Sequence, residues 1–234
     1  HSATNDTVKT TTAPASETGV IIIPSNIDLT LDATINKASF NGLSLEKGKG
    51  VVVISNGKVF LKQTGFSLIG CDVLMDASYE STSPLKASFD YHVKATDFDI
   101  HRAYNEIKIF HDMASAAGSA EGVVSLDYNL KGKLDGNMKP IYPSLEGGGV
   151  LSVKKVKVKG FKLLSAVSKT TGKDSIASPD VSKVDIKTTI KNNLINIERF
   201  KIKMAGFRLR TEGQTSLDGK LNMKMRLGLP PLGI

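Results

Sequence analysis

Gly147 to Leu163 run G-G-G-V-L-S-V-K-K-V-K-V-K-G-F-K-L, and the spacing of apolar residues in this stretch decides the fold class. Leu151 and Val153 alternate, the pattern slips by one to Val156 and Val158, and slips again to Phe161 and Leu163. Period-two alternation predicts an extended strand with one buried face, and each slip marks a bulge or bend. The same rhythm occurs 118 residues upstream, where Ile35, Ala38, Phe40, Gly42, Leu43 and Leu45 stand against Val153, Val156, Val158, Gly160, Phe161 and Leu163. A second block, Ile54 to Asp76, matches Ile190 to Glu212 at an offset of 136, with Asn56 over Asn192 and Gly70 over Gly206. The difference between the offsets gives the second copy 18 extra residues, which fall between Leu164 and Lys187. The chain reads as one β-module used twice.

Outward from this stretch, further alternating runs appear, separated by turn signals. Residues 20–46 read as extended with a break at Pro24, and Gly48-Lys49-Gly50 reads as a turn. Asn56–Gly57 is a type I′ hairpin signal, because both residues tolerate positive φ, and Asn192–Asn193 takes its place in the second copy. Residues 85–95, 124–134 and 207–229 alternate over ten or more residues each. Residues 99–114 break the period: Ile100, Ala103, Tyr104, Ile107, Phe110 and Met113 fall at helical spacing behind Asp99 as N-cap. A second short helix is expected from Leu164, followed by a polar loop to Val181. The expected fold is mainly β: about eleven strands in a repeated antiparallel meander, forming a curled sheet or a half-open sandwich or groove, with two short helices. Residues 1–19, rich in Thr, Ser and Ala, read as linker. Residues 20–234 read as one domain of two repeats, about 27–145 and 146–229.

Composition narrows the function. The net charge of +8 is uneven: residues 1–145 hold 13 Lys and Arg against 16 Asp and Glu, whereas residues 146–234 hold 18 against 7. The densest cluster is Lys154, Lys155, Lys157, Lys159 and Lys162, read first as a solvated strand face and second as a contact for anionic headgroups. Nucleic acid is not an expected partner, because Phe161 is the single aromatic there and lies in the apolar series. No window approaches the roughly 20 apolar residues of a membrane span, and any anchor is expected outside this segment. Asp97, Asp99 and His101 form the single metal-like triplet, at a junction where capping explains Asp99 equally well. Cys71 has no activating partner in sequence and reads as an inert thiol. No nucleophile elbow, phosphate loop or paired-histidine metal motif is present, so no enzyme, cofactor or metal is expected.

The second copy, G-x-L-S-V-K-K-V-K-V-K-G-F-K-L-L followed by I-K-N-N-L-I-N-I-E-R-F-K-I-K-M-A-G-F-R-L-R-T-E-G-Q-T-S-L-D-G-K-L-N-M-K-M-R-L, resembles the C-terminal region of the AsmA-like family. Gly206, Gly213 and Leu217–Asp218 stand where that pattern expects them, and Asn192–Asn193 replaces its usual aspartate or asparagine plus glycine. The resemblance covers about residues 27–229. It implies a non-enzymatic protein of the periplasm or cell envelope of a diderm bacterium, anchored in a membrane, with larger bridge-like relatives linked to phospholipid traffic and outer-membrane biogenesis.

On that footing the expected partner is a phospholipid or another envelope lipid, held in an apolar groove lined by Leu126, Tyr128, Leu130, Phe207, Leu209, Leu221, Met223 and Met225. Two other readings stay open. One is an assembly factor for outer-membrane proteins, acting through sheet-edge contacts with envelope protein partners. The other is a secreted β-sandwich binding module, against which the lack of Trp weighs.

Overall fold

The computed structural model describes residues 19–40, 42–158, 169, 180–204, 207–217 and 220–228. The strands are β1 (Leu29–Phe40), β2 (Leu43–Ser55), β3 (Lys58–Leu68), β4 (Cys71–Ser83), β5 (Lys86–Asp99), β6 (Ala120–Leu134), β7 (Glu146–Val158), β8 (Asp180–Lys191), β9 (Leu194–Met204), β10 (Phe207–Ser216) and β11 (Leu221–Gly228). All eleven join one antiparallel sheet in chain order, and the sheet does not close: β1 and β11 are its two edges. Helices α1 (Ile100–Glu106) and α2 (Lys108–Met113) lie between β5 and β6.

The repeat holds at the level of hydrogen-bond register. Leu29 opposite Ile54 recurs as Gly147 opposite Ile190, and Ala38 opposite Leu45 as Val156 opposite Val181. The bulge that sets Leu61 and Thr64 against Ala77 and Met75 recurs with Ile197 and Phe200 against Gly213 and Thr211. Lys47 and its counterpart Lys183 even share a left-handed backbone, with φ of 53° and 54°. Asn56–Gly57 and Asn192–Asn193 occupy equivalent turns, with φ of 51°, 75°, 52° and 62°, as a type I′ turn requires. The equivalence reaches the fifth strand, where Ala77 opposite Tyr91 recurs as Gly213 opposite Met223. β1–β5 and β7–β11 are therefore the two copies, and α1, α2 and β6 join them.

Several boundaries differ from the sequence reading. The extra residues of the second copy end before Asp180, because 180–186 belong to β8 and pair with β7. The helix expected from Leu164 lies outside the described residues. Gly48-Lys49-Gly50 is not a turn: β2 runs through it, and the chain reverses at Gly42, whose φ is +82°. Gly50 serves close approach instead, since a Cβ on it would lie 2.6 Å from Thr64 Oγ1, whereas one on Gly48 would meet Ile35 at an ordinary 3.4 Å. The alternation expected over 207–229 is not one strand: β10 and β11 are separate strands that pair with each other, and Ser216 N donates to Lys220 O at 2.8 Å between them.

Helix 99–114 is also two pieces, broken at Ile107 with φ −107° and ψ 102°. Asp99 caps α1 as expected, accepting from Arg102 N at 2.7 Å. The break has a packing cause. In one continuous helix Ile107 and Ile109 would point about 200° apart, and here both meet the sheet. Ile100, Ala103, Tyr104, Ile107 and Phe110 pack with Val73, Phe98, Val124, Val153, Val156 and Val184, and Phe110 meets Phe98 edge-on at 5.9 Å. Ile109 and Met113 pack instead with Tyr128, Leu130, Leu145 and Ile190. Each large side chain buried this way contributes about 1.5–3 kcal/mol.

A carboxylate ties this cover to the segment before β7. Asp112 accepts from Tyr142 Oη and from Lys108 Nζ. Burial acts to raise the Asp112 pKa, but hydrogen bonds from Tyr142, Lys108 and His111 outweigh it and hold the carboxyl below its usual range. The Tyr142 hydroxyl is pushed up to about 12, by burial first and by its bond to Asp112 second. A carboxyl with a depressed folded pKa stabilises above its unfolded value of about 3.9 and loses that contribution as the pH falls through the folded value. Melting temperature should therefore drop between pH 5 and 2 more steeply in the native chain than in Tyr142→Phe. Parallel pH profiles would show that the tie contributes nothing.

Candidate functional site

Directly opposed residues of an antiparallel sheet share a face, so the register fixes which side chains lie together. One face carries Leu29, Leu31 and Ile35 on β1, Val52 and Ile54 on β2, and Val59 and Leu61 on β3. The same face continues through Tyr91 and Val93, Leu126 and Leu130, Ile190, Ile195 and Leu209 to Met223 and Met225. It is apolar from edge to edge, but its cover is uneven. Over β4–β8 the helices and Leu145 bury it, leaving Val124 and Leu145 with no exposed surface. On β1 nothing equivalent among the described residues covers it: Leu29, Leu31 and Ile35 are 41%, 46% and 48% exposed.

The eight residues expected to line a groove share this face but not its exposure. Tyr128 and Leu130 are buried and Leu126 is half-buried, all under the helical cover at the centre. Tyr128 lies across β7, its ring over Gly149 and its hydroxyl 2.8 Å from Thr188 Oγ1 on β8. Leu209 is buried, Met223 and Met225 are half-buried, and Phe207 and Leu221 occupy matching register positions on β10 and β11. β6 and β11 are five strand spacings apart, about 24 Å, so these residues do not form one groove. The uncovered apolar strip is on β1, beside the half-buried Val52, Ile54, Val59 and Leu61 of β2 and β3, at residues that sequence periodicity alone did not separate from the buried ones. The available signal was position: β1 has no preceding strand in chain order.

The opposite face is mixed: ion pairs cross it, and Val51, Val53, Phe60 and the 60% exposed Leu74 also lie on it. His92 Nε2 and Lys94 Nζ lie 2.6 and 3.4 Å from the two oxygens of Asp127, and Lys131 pairs with Glu146 at 3.3 Å. The hydrogen bond from His92 foremost, and Lys94 beside it, hold the Asp127 carboxyl below its ordinary range. Of the lysine cluster, Lys154 binds Asp97 at 2.5 Å. Lys155 and Lys157 are exposed, with Glu121 and Asp180 registered directly beside Lys157. Lys159 and Lys162 lie outside the described residues. The cluster is partly neutralised by its neighbours. A second cationic group, dispersed in sequence over Lys201–Arg226, gathers on β9–β11.

Reactive groups do not converge. Asp97 is used by Lys154 and Ser125, Asp99 by the α1 cap, and His101 is exposed. Among the described residues no three His, Cys, Asp or Glu side chains are placed to share a metal ion. Cys71 is buried and points its thiol at Leu68 O, and burial, reinforced by Asp72, pushes the thiol pKa up, away from the nucleophilic form. No helix among the described residues is long and apolar enough to cross a membrane. No family model, curated protein or solved structure matches the chain.

Proposed function

We propose that this chain is a non-enzymatic cell-envelope module that holds the acyl chain of a lipid along the uncovered apolar strip of β1. The observation that carries this reading is the line of Leu29, Leu31 and Ile35, exposed on the same face that is fully buried at its centre. Contiguous exposed apolar surface is a binding surface, because leaving it in water costs about 25 cal/mol per Å². β1 has 12 residues, which at 3.3–3.4 Å each span on the order of 40 Å, long enough for an extended acyl chain. The resemblance of the second copy to AsmA-like sequences supports the same class of ligand and a place in outer-membrane biogenesis.

The test is site-specific photo-crosslinking in cells. A photoreactive residue at Leu31, on the apolar face, should capture lipid, and one at the neighbouring Asp32, on the opposite face, should not. Labelling at neither position, or equal labelling at both, would sink the reading.

A second reading rests on the open edges of β1 and β11. Unpaired edges accept a partner strand, as an assembly factor for envelope proteins would require. Protein adducts rather than lipid adducts at Leu31 and Asp32 would favour it.

A further inference from the structure

We infer that the polar face of β9–β11 is a docking surface for a bilayer rich in anionic phospholipid. The inference stands on charge pattern and register and is independent of acyl-chain binding on the other face. Arg210 lies directly opposite Lys201 on β9 and Arg226 on β11, and Arg208 lies opposite Lys203. Lys224 stands two residues from Arg226, opposite Glu212. Like charges directly opposed across strands are destabilising, and elsewhere this sheet avoids them, setting Lys58 against Glu80 and Lys37 against Glu46. Here Glu212 is taken by Arg199, with Nε and the second guanidinium nitrogen at 2.8 and 3.0 Å. Glu198 sits in the adjoining bulge of β9, and among the described residues Lys201, Arg210 and Arg226 form no contact ion pair, although Arg226 and Lys224 also feel the charge of Glu212 behind Arg199.

The internal repeat supplies the control. The positions equivalent to Lys201, Lys203, Arg208, Arg210, Lys224 and Arg226 in the first copy are Gly65, Ser67, Asp72, Leu74, His92 and Lys94. Two near-superposable registers thus carry six cations in one copy and a single formal cation in the other, where Lys94 is matched by Asp127. The fold does not require the charge, so the charge has another use.

Its geometry selects the partner. The cations lie side by side on one face of three neighbouring strands, about 4.8 Å apart between strands and about 6.7 Å apart along them. So closely spaced a row of cations is matched by a surface that itself presents many anions, such as the headgroups of an anionic bilayer. Phe200 and Phe207, the aromatics of β9–β11, fall at register positions of the apolar face, so the cationic face has no ring on which a nucleobase would stack.

The whole chain is mixed with vesicles of phosphatidylglycerol and phosphatidylcholine, or of phosphatidylcholine alone, and sedimented. The native chain should partition onto the anionic vesicles only, and release as salt rises from 0.05 to 0.5 M. Lys201→Gln/Arg210→Gln/Arg226→Gln should weaken partitioning roughly a hundredfold, at about fivefold per residue. The control Lys154→Gln/Lys155→Gln/Lys157→Gln removes equal charge and should weaken it less than about fivefold. The first triple should melt at or above the native temperature, since it relieves repulsion. Equal losses in both triples, no binding to anionic vesicles, or a lowered melting temperature of the first triple would overturn the inference. Tighter binding of a single-stranded oligonucleotide than of vesicles, lost in the same triple, would overturn it in favour of nucleic acid.

Discussion

A Gly149→Val protein is expected to lose about 2–4 kcal/mol of stability, lowering the melting temperature by roughly 10 °C. A Cβ at this position would sit 2.1 Å from Asp127 O and 2.6 Å from Tyr128 Cδ2. Neither neighbour can retreat cheaply. The carbonyl belongs to a paired strand, and the ring is held flat by its bond to Thr188 across β7. Overpacking of this kind costs about 1–3 kcal/mol before the Tyr128 bond, worth about 1 kcal/mol, is broken as well. Thermal unfolding of the variant beside Tyr128→Phe separates the two contributions, because the phenylalanine removes only the bond. A Gly149→Val melt within 2 °C of native would mean that the ring does not lie across β7.

The same glycine shows why part of the fold was legible. Turn and bulge chemistry is local, so Asn56–Gly57, Asn192–Asn193 and the slipped alternation announce a repeated antiparallel meander without tertiary information. What failed was the meaning of glycines within strands. Gly48 and Gly50 resemble a turn in sequence, yet both lie within β2, and Gly50 is needed because Thr64, 14 residues distant in the chain, approaches its backbone. The helix break at Ile107 was hidden for a related reason. Helical spacing records which residues are apolar, but not that two separate clusters claim them.

For the functional surface the limit lies in pairing between strands. Leu31 and Val124 carry the same alternation signal, and only the placement of α1 and α2 makes one exposed and the other fully buried. Charge behaves likewise. Lys154–Lys162 looks dense in sequence, but Lys154 on β7 pairs with Asp97 of β5, and Lys157 has Glu121 of β6 and Asp180 of β8 at its register position. Lys201, Arg210 and Arg226 are spread over 26 residues and converge through two antiparallel turns. Linear density overstated the first group and concealed the second.

That division of one apolar face into covered and uncovered parts yields the second large effect. Val124→Asp and Leu31→Asp make comparable chemical changes on the same face, and their outcomes should be opposite. At Val124, fully buried among Phe98, Ile100, Val153 and Ala120, the carboxylate has no water and no cation beside it. An uncompensated buried charge of this kind costs about 3–5 kcal/mol, enough to unfold a domain of ordinary stability. At Leu31, 46% exposed, the carboxylate stays hydrated, and the cost should stay within about 1 kcal/mol, the span of strand propensity. Leu31→Asp should therefore melt near the native temperature while losing lipid adducts from a photoreactive residue placed at the adjoining Leu29. If Leu31→Asp instead melts as low as Val124→Asp, the β1 face is buried in solution and the acyl-chain reading falls. If it melts normally and still labels with lipid, the lipid meets the strip without depending on Leu31, and Leu31 is not part of what holds it.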